Sequence, residues 1–381
     1  MRVEQFAMER MQSTWENLVD FNLSESGVHP LTPRELLGDE AEALLDHPLV
    51  YTQSNGTIEL RSRIAALYPG SSVDHVQVTN GGSEANYVVL WRLVEPGDEV
   101  ALLVPNYMQT FGLAKAFGGT VREWPLVEDG AAGRWRPDLD ALRRVVSGRT
   151  KLIIICTPNN PTGARLTPQE LDEIAEIAGR HGSWVLSDEV YRGAELDGHE
   201  SASIWGRYDR AIVTSGLSKA YGLPGLRIGW IVAPPSLVAS TWEYHDYITI
   251  APGTLSDRMA RVALSPGRRP ALVERTRSII RENLALLERW LRDHDPAFSW
   301  IRPEAGAIVY VRYNYKINST ELVTRLRDSH SVLIVPGDHF GMDGYLRLGY
   351  GERPDYLRAG LDRLHQLLTT LPAAESAASP A

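Results

Sequence analysis

The sequence predicts an α/β protein: a mainly parallel sheet in a large domain, with a smaller α+β domain after it. Three observations lead there. Short β-branched runs alternate with helical patterns from residue 76 onward, the pattern changes after about residue 275, and 381 residues are enough for two or so domains. Composition agrees, since Gly and Pro are spread along the chain rather than gathered into one biased tract, and no internal repeat appears.

Residues 1–45 come before any sheet pattern and read as an amino-terminal arm packing with the smaller domain. Residues 46–275 read as the large domain. Its strand candidates are VQVT (76–79), VALLV (100–104), LIIIC (152–156), WVLS (184–187) and AIVTS (211–215), a rhythm of βαβ units. Amphipathic stretches lie between them: 83–94, 138–148 and 167–182. The last has Thr167 before it, Glu170 three residues on and Gly182 at its end, so its cap signals match its periodicity. Residues 276–371 read as the small domain, with a charged helix over 277–294, strands AIVYVRY (307–313) and VLIVP (332–336), and helices over 320–329 and 354–371. Residues 372–381 read as a disordered tail.

A formal charge of -9 leaves no basic surplus for nucleic acid or an anionic membrane. The first residues carry acids and lack the apolar run and cleavage site of a signal peptide, and no apolar run approaches the roughly 20 residues of a membrane span. A cytoplasmic protein is expected. The one cysteine, Cys156, cannot form an intramolecular disulfide, and its apolar run favours an inert buried thiol. No metal ligands are assigned.

The most informative segment is TSGLSKAYGLPGLRIGWIV (214–232): a strand, a glycine-punctuated turn with Lys219, then Arg227 and another strand. A lysine at a strand end forms a Schiff base when its surroundings lower its pKa. Arg227 can hold a phosphate while Lys219 holds the aldehyde of the same cofactor. A surface lysine in a turn explains the segment equally well. In TNGGSEAN (79–86) a strand runs through glycines into a helix start, an anion cup of backbone N–H groups with Gly81, Gly82 and Ser83 as phosphate candidates. PNNPTG (158–163) follows the 152–156 strand and so lies at the carboxyl end of the sheet, where open α/β folds bind ligands. In LSDEVYRG (186–193) an acid ends an apolar strand, a position that calls for a partner. In YLRLGYG (345–351) Arg347 sits on a short apolar strand, and a buried guanidinium needs an anion.

GLSKAYGLPGLRIG, from Gly216 to Gly229, resembles the pyridoxal 5'-phosphate (PLP) attachment signature of the class I/II aminotransferases, and the other segments follow in that family's chain order. The resemblance implies PLP fold type I, with Lys219 bearing the cofactor and Ser218 and Arg227 near its phosphate. It implies Asp188 against the pyridine nitrogen, where a carboxylate keeps the ring an electron sink. Asn160 and Tyr191 are then placed at the phenolic oxygen, Tyr107 on the ring face and Arg347 at the substrate α-carboxylate. Tyr51 resembles a tyrosine that reaches the phosphate of the neighbouring subunit, which implies a homodimer with shared sites. One departure is Gly216, where many relatives carry a hydroxyl residue three before the lysine. That phosphate contact is missing or supplied differently.

The expected activity is transfer of an amino group from a small-molecule amino acid to a 2-oxo acid. STWENLVDFNLSESGVHPLT (13–32) also resembles the entry segment of the capreomycidine synthases and, more distantly, PLP-dependent arginine hydroxylases, which implies cyclisation or oxidation of an arginine-like amino acid. Residues 1–50 hold 3 Arg and no Lys against 10 acids, so the arm can offer Glu16 and Glu25 to a guanidinium, with His29 beside them. Acidic solvated surface and a capping or core histidine explain the same residues. A non-catalytic ligand sensor of the kind found in transcription regulators needs a basic DNA-binding module, for which the acidic amino terminus gives no sign.

Overall fold

The computed structural model describes residues 2–371, so the tail assigned to 372–381 lies outside the described residues. Its largest sheet has eight strands. In spatial order they are Val76–Thr79, Gly229–Val232, Ala211–Gly216, Trp184–Asp188, Thr150–Cys156, Glu99–Val104, Thr120–Asp129 and Arg134–Pro137. The middle pairs are parallel, and only Gly229–Val232 and the edge strand Arg134–Pro137 run against their neighbours. Helices cover both faces, which explains why 152–156 is apolar at every position: each side chain of Leu152–Cys156 is buried. The strands Glu99–Val104, Thr150–Cys156, Trp184–Asp188 and Ala211–Gly216 all point their carboxyl ends to one edge.

The helix Pro168–His181 has the complete capping box between Thr167 and Glu170, and Gly182 closes it in the left-handed conformation at φ 68°. The strand Thr120–Asp129 escaped the sequence reading because Pro125 interrupts it. Pro125 sits where the strand changes partner, from Glu99–Val104 to Arg134–Pro137, and a missing N–H is tolerated there. The charged helix starts at Arg269 rather than 277, because Pro270 falls in its first turn, where no N–H partner is lost. VLIVP is two strands, not one. Val332–Leu333 pairs in parallel with Phe21–Asn22 of the arm, whereas Val335–Pro336 edges the antiparallel sheet Phe298–Trp300, Ile308–Tyr313, Tyr345–Gly349 and Val335–Pro336.

Beyond Asn22 the arm lies along the strand that carries Arg347. Leu23 N donates to Leu333 O at 2.8 Å, Gly349 N to Leu23 O at 2.7 Å and His29 N to Gly351 O at 2.9 Å. Backbone meets backbone here, and glycine is what makes room. A Cβ at Gly349 would collide with the Glu25 carbonyl oxygen, and one at Gly351 with the carbonyl oxygen of Gly27. Gly351→Ala is therefore expected to destabilise the protein by about 1–3 kcal/mol, read as a lower denaturant midpoint with unchanged slope.

Candidate active site

The carboxyl edge of the parallel strands opens into a cavity of about 320 Å³ lined by Ser83, Tyr107, Asn160, Asp188, Tyr191, Ser218, Lys219, Arg227 and Arg347. The strand Val76–Thr79 delivers the glycine turn: Gly81, at φ 90°, starts the helix Gly82–Leu93 with no side chain capping it. A Cβ at Gly81 would strike the Arg227 guanidinium, and one at Gly229 the Gly81–Gly82 backbone, so these glycines let the arginine and the turn close on each other. Arg227 itself holds a left-handed φ of 50°.

Asp188 ends its strand opposite Cys156 and Thr214. Its Oδ2 accepts Asn86 Nδ2 at 3.0 Å and its Oδ1 the Val190 N–H at 3.1 Å, while Asn86 Oδ1 accepts Thr214 Oγ1 at 2.7 Å. Burial raises the carboxyl above its ordinary range, and the two donated bonds offset only part of this. Such a carboxylate gains from a cationic partner. Cys156 also lines the cavity, but burial pushes its thiol well up, consistent with an inert group.

Arg347 is 1% exposed. Its Nη1 donates to Asn160 Oδ1 at 2.9 Å, which leaves the Asn160 amide NH2 for another acceptor, and its Nη2 donates to Ser24 O at 2.6 Å. Nε has no partner among the described residues. The arm helix Ala7–Trp15 covers this region: Gln12 Nε2 donates to Ser24 O at 3.0 Å, and Glu9 accepts the Tyr107 hydroxyl at 2.8 Å. Glu9, Glu16 and Glu25 all reach the cavity, and Glu25 Oε1 accepts Lys219 Nζ at 2.6 Å. Burial, then repulsion from Glu25 and Glu9, raises Glu16. Burial would raise Glu25 too, but Lys219 and the N–H groups of Gly27 and Ser26 hold it at about 2.

The family model for aminotransferase class I and II matches residues 22–364. The chain belongs to this family. It is 35% identical to capreomycidine synthase of Streptomyces vinaceus, over 92% of this chain and 90% of that one. It is 29% identical to aromatic-amino-acid aminotransferase 2 of Thermococcus litoralis, over 88% of each. A solved PLP-dependent aminotransferase from Streptococcus suis superposes with a TM-score of 0.91 at 34% identity, covering 98% of this chain and all (100%) of that one. This aminotransferase is thus a PLP-dependent enzyme of α/β fold type I.

Its cavity fits that cofactor. The glycine turn and Arg227 form a cationic cup for a phosphate, Asp188 offers a destabilised carboxylate to a protonated ring nitrogen, and Lys219 offers a primary amine. Gly216, the departure in the signature, is dictated by packing. A Cβ there would come 2.9 Å from Ile228 O and 3.5 Å from Gly82 N, against the cup. Ser215 does not substitute, because its hydroxyl turns away to Glu189 O at 3.1 Å. Three of the sequence-assigned residues are not lining residues: Gly81 sits behind the lining against Arg227, and two others lie apart. Tyr51 is 84% exposed and does not line its own chain's cavity. His29 is not a lining residue either; its Nδ1 is 3.2 Å from Gly351 O. Asn86, Glu9, Met8 and Ser26 line the cavity without having been assigned a role. Asn86 alone had a local signal, since it lies three residues after Ser83 on the same helix face.

The acid pair 188–189 splits in two directions. Glu189 faces away from the cavity, is completely buried, and accepts Ser203 Oγ at 2.7 Å and Ile204 N at 3.2 Å. Burial pushes it up to about 7, against the opposing pull of Arg192. The folded protein then keeps a proton that the unfolded chain releases above its ordinary value of 4.5, so this group's contribution falls as pH rises from 4.5 to about 7. Glu189→Gln is expected to flatten that fall, which amounts to at most about 3 kcal/mol, in denaturant melts across this range.

Proposed function

We propose that this aminotransferase moves the amino group of an amino acid to a 2-oxo acid. Lys219 takes the cofactor aldehyde, Asp188 the pyridine nitrogen, Asn160 and Tyr191 the phenolic oxygen, and Tyr107 one ring face. Gly81, Gly82, Ser83, Ser218 and Arg227 take the phosphate. The bound cofactor supplies an electron sink for charge developing at the substrate Cα. Arg347 orients the α-carboxylate through its planar fork, and its burial makes an incoming anion favourable. The Lys219 amine moves the Cα proton. One observation carries this reading: Lys219, Asp188, Tyr191, Asn160 and Arg347, from four separate segments, line one cavity.

The same cavity favours a substrate with a cationic side chain, since Glu9 and Glu16 line it in addition to Glu25, which Lys219 already matches. These carboxylates, with the likeness to capreomycidine synthase, support a second reading: cyclisation or oxidation of an arginine-like amino acid. His29 enters neither reading as a cavity group. We also propose a homodimer with shared sites, into which Tyr51 reaches from the neighbouring subunit. The support is exposed apolar surface around it, with Leu45 and Leu49 each 80% exposed and Tyr247 85%. Residues 46–275 would then be the cofactor unit and 276–371 the small domain closing on it with the 1–45 arm. No helix among the described residues is long and apolar enough to cross a membrane, which fits a cytoplasmic setting.

A panel of amino acids mixed with the holoenzyme separates the readings. Transamination is expected to convert the cofactor to pyridoxamine phosphate, fastest with cationic side chains. Cyclised or oxidised product without pyridoxamine phosphate would establish the second reading instead. Arg347→Lys, which keeps charge but loses the fork, is expected to lower kcat/KM about 10- to 100-fold through KM, with cofactor content unchanged.

A further inference from the structure

Amino-group transfer does not by itself call for a carboxylate against the cofactor-bearing lysine, yet Glu25 Oε1 accepts Lys219 Nζ at 2.6 Å. The contact is built into the backbone. The same oxygen accepts the N–H groups of Ser26 and Gly27, both at 2.8 Å. The turn also rides directly on the lysine segment: a Cβ at Gly27 would come 3.3 Å from Glu25 Oε1 and 3.4 Å from Ser218 O. From the far side Gly349 and Gly351 hold the arm in place. Three donors thus converge on one oxygen, and only Lys219 among them is titratable.

Other charged and titratable groups face the pair without making this contact. Tyr191 and Arg347 face Lys219, the arginine opposing its charge. Glu16 and Glu352 face Glu25. Among the described residues no second carboxylate bonds the lysine nitrogen. Burial acts to lower the Lys219 amine, but Glu25 and Tyr191 together outweigh it and the amine stands above its ordinary value. An opposite charge at this range favours the protonated form.

Building on the PLP reading of the site, we propose that Glu25 is a catalytic residue that keeps the Lys219 nitrogen protonated and so decides which proton transfers that nitrogen makes. An ammonium donates a proton and cannot accept one. With Glu25 in place, Lys219 is disposed to be a proton donor, and it takes the Cα proton only after its own has passed to Glu25 Oε1, the acceptor it contacts at 2.6 Å. This role is separate from recognition of a substrate side chain, because it operates with no substrate present.

The test is a pH titration of the holoenzyme, read from the cofactor's absorbance without substrate. Glu25→Gln keeps the side chain's size and removes its charge. It is expected to lower the midpoint of the absorbance change by about one pH unit or more, a tenfold loss of proton affinity, with cofactor content unchanged. Glu25→Asp is expected to keep the midpoint nearer to that of the unmodified enzyme. A Gln variant with an unshifted midpoint would overturn the proposal, as would an Asp variant that falls as far as Gln, which would assign the effect to shape. If Glu25→Gln does not fold, Glu25→Ala carries the same expectation and the same contrary result. An unmodified enzyme with no cofactor band would instead undo the PLP reading beneath it.

Discussion

Where the arm crosses the strand Tyr345–Gly349, two backbones run closer than side chains would permit. Gly349 and Gly351 leave room for the carbonyls of Glu25 and Gly27, and the hydrogen bonds from Gly349 N and His29 N tie the crossing down. The consequences reach the whole site. The arm carries Glu25, Ser24 and the helix that ends at Trp15; the strand carries Arg347; and the cavity needs both. Ser24 O receives Arg347 Nη2 and Gln12 Nε2 together, so the arm, its helix and the buried guanidinium share one acceptor.

The large sheet contributes a different kind of precision. Parallel strands end in step, so residues at their carboxyl ends fall in a row without help from long-range contacts. Asp188 and Cys156 are direct neighbours in register, and Thr214 beside them reaches Asn86, which in turn holds Asp188. On the proposed reading the sheet offers fixed groups to a cofactor, whereas the arm and the antiparallel sheet offer charges to a substrate. Both signs meet in that cavity, where Arg347 lies within the influence of Glu9 and Glu25.

Much of the sheet-edge half was legible because its signals are local. A strand followed by glycines, an asparagine-proline turn or an acid is written within a few residues, and Lys219, Asp188, Asn160 and Gly81 all line or shape the cavity. The other half is written in pairs distant along the chain. Glu25 was visible as one acid of an acidic arm, but its partner Lys219 lies 194 residues away. His29 was grouped with those acids by proximity in sequence, yet the crossing turns it to Gly351. Gly216 read as a lost phosphate contact, whereas its neighbours Ile228 and Gly82 leave no space for a side chain. Pro125 hid a strand because its tolerance depends on which neighbour that strand pairs with at that point.

Everything proposed for the site rests on Lys219 as the amine on which the cofactor is carried. Borohydride reduction of the holoenzyme followed by peptide mapping tests it most directly. A single phosphopyridoxyl adduct is expected on Lys219, in the peptide containing GLSKAYGLPG. An adduct on Lys115, Lys151 or Lys316 instead, or bound cofactor with no reducible link to the chain, would contradict it.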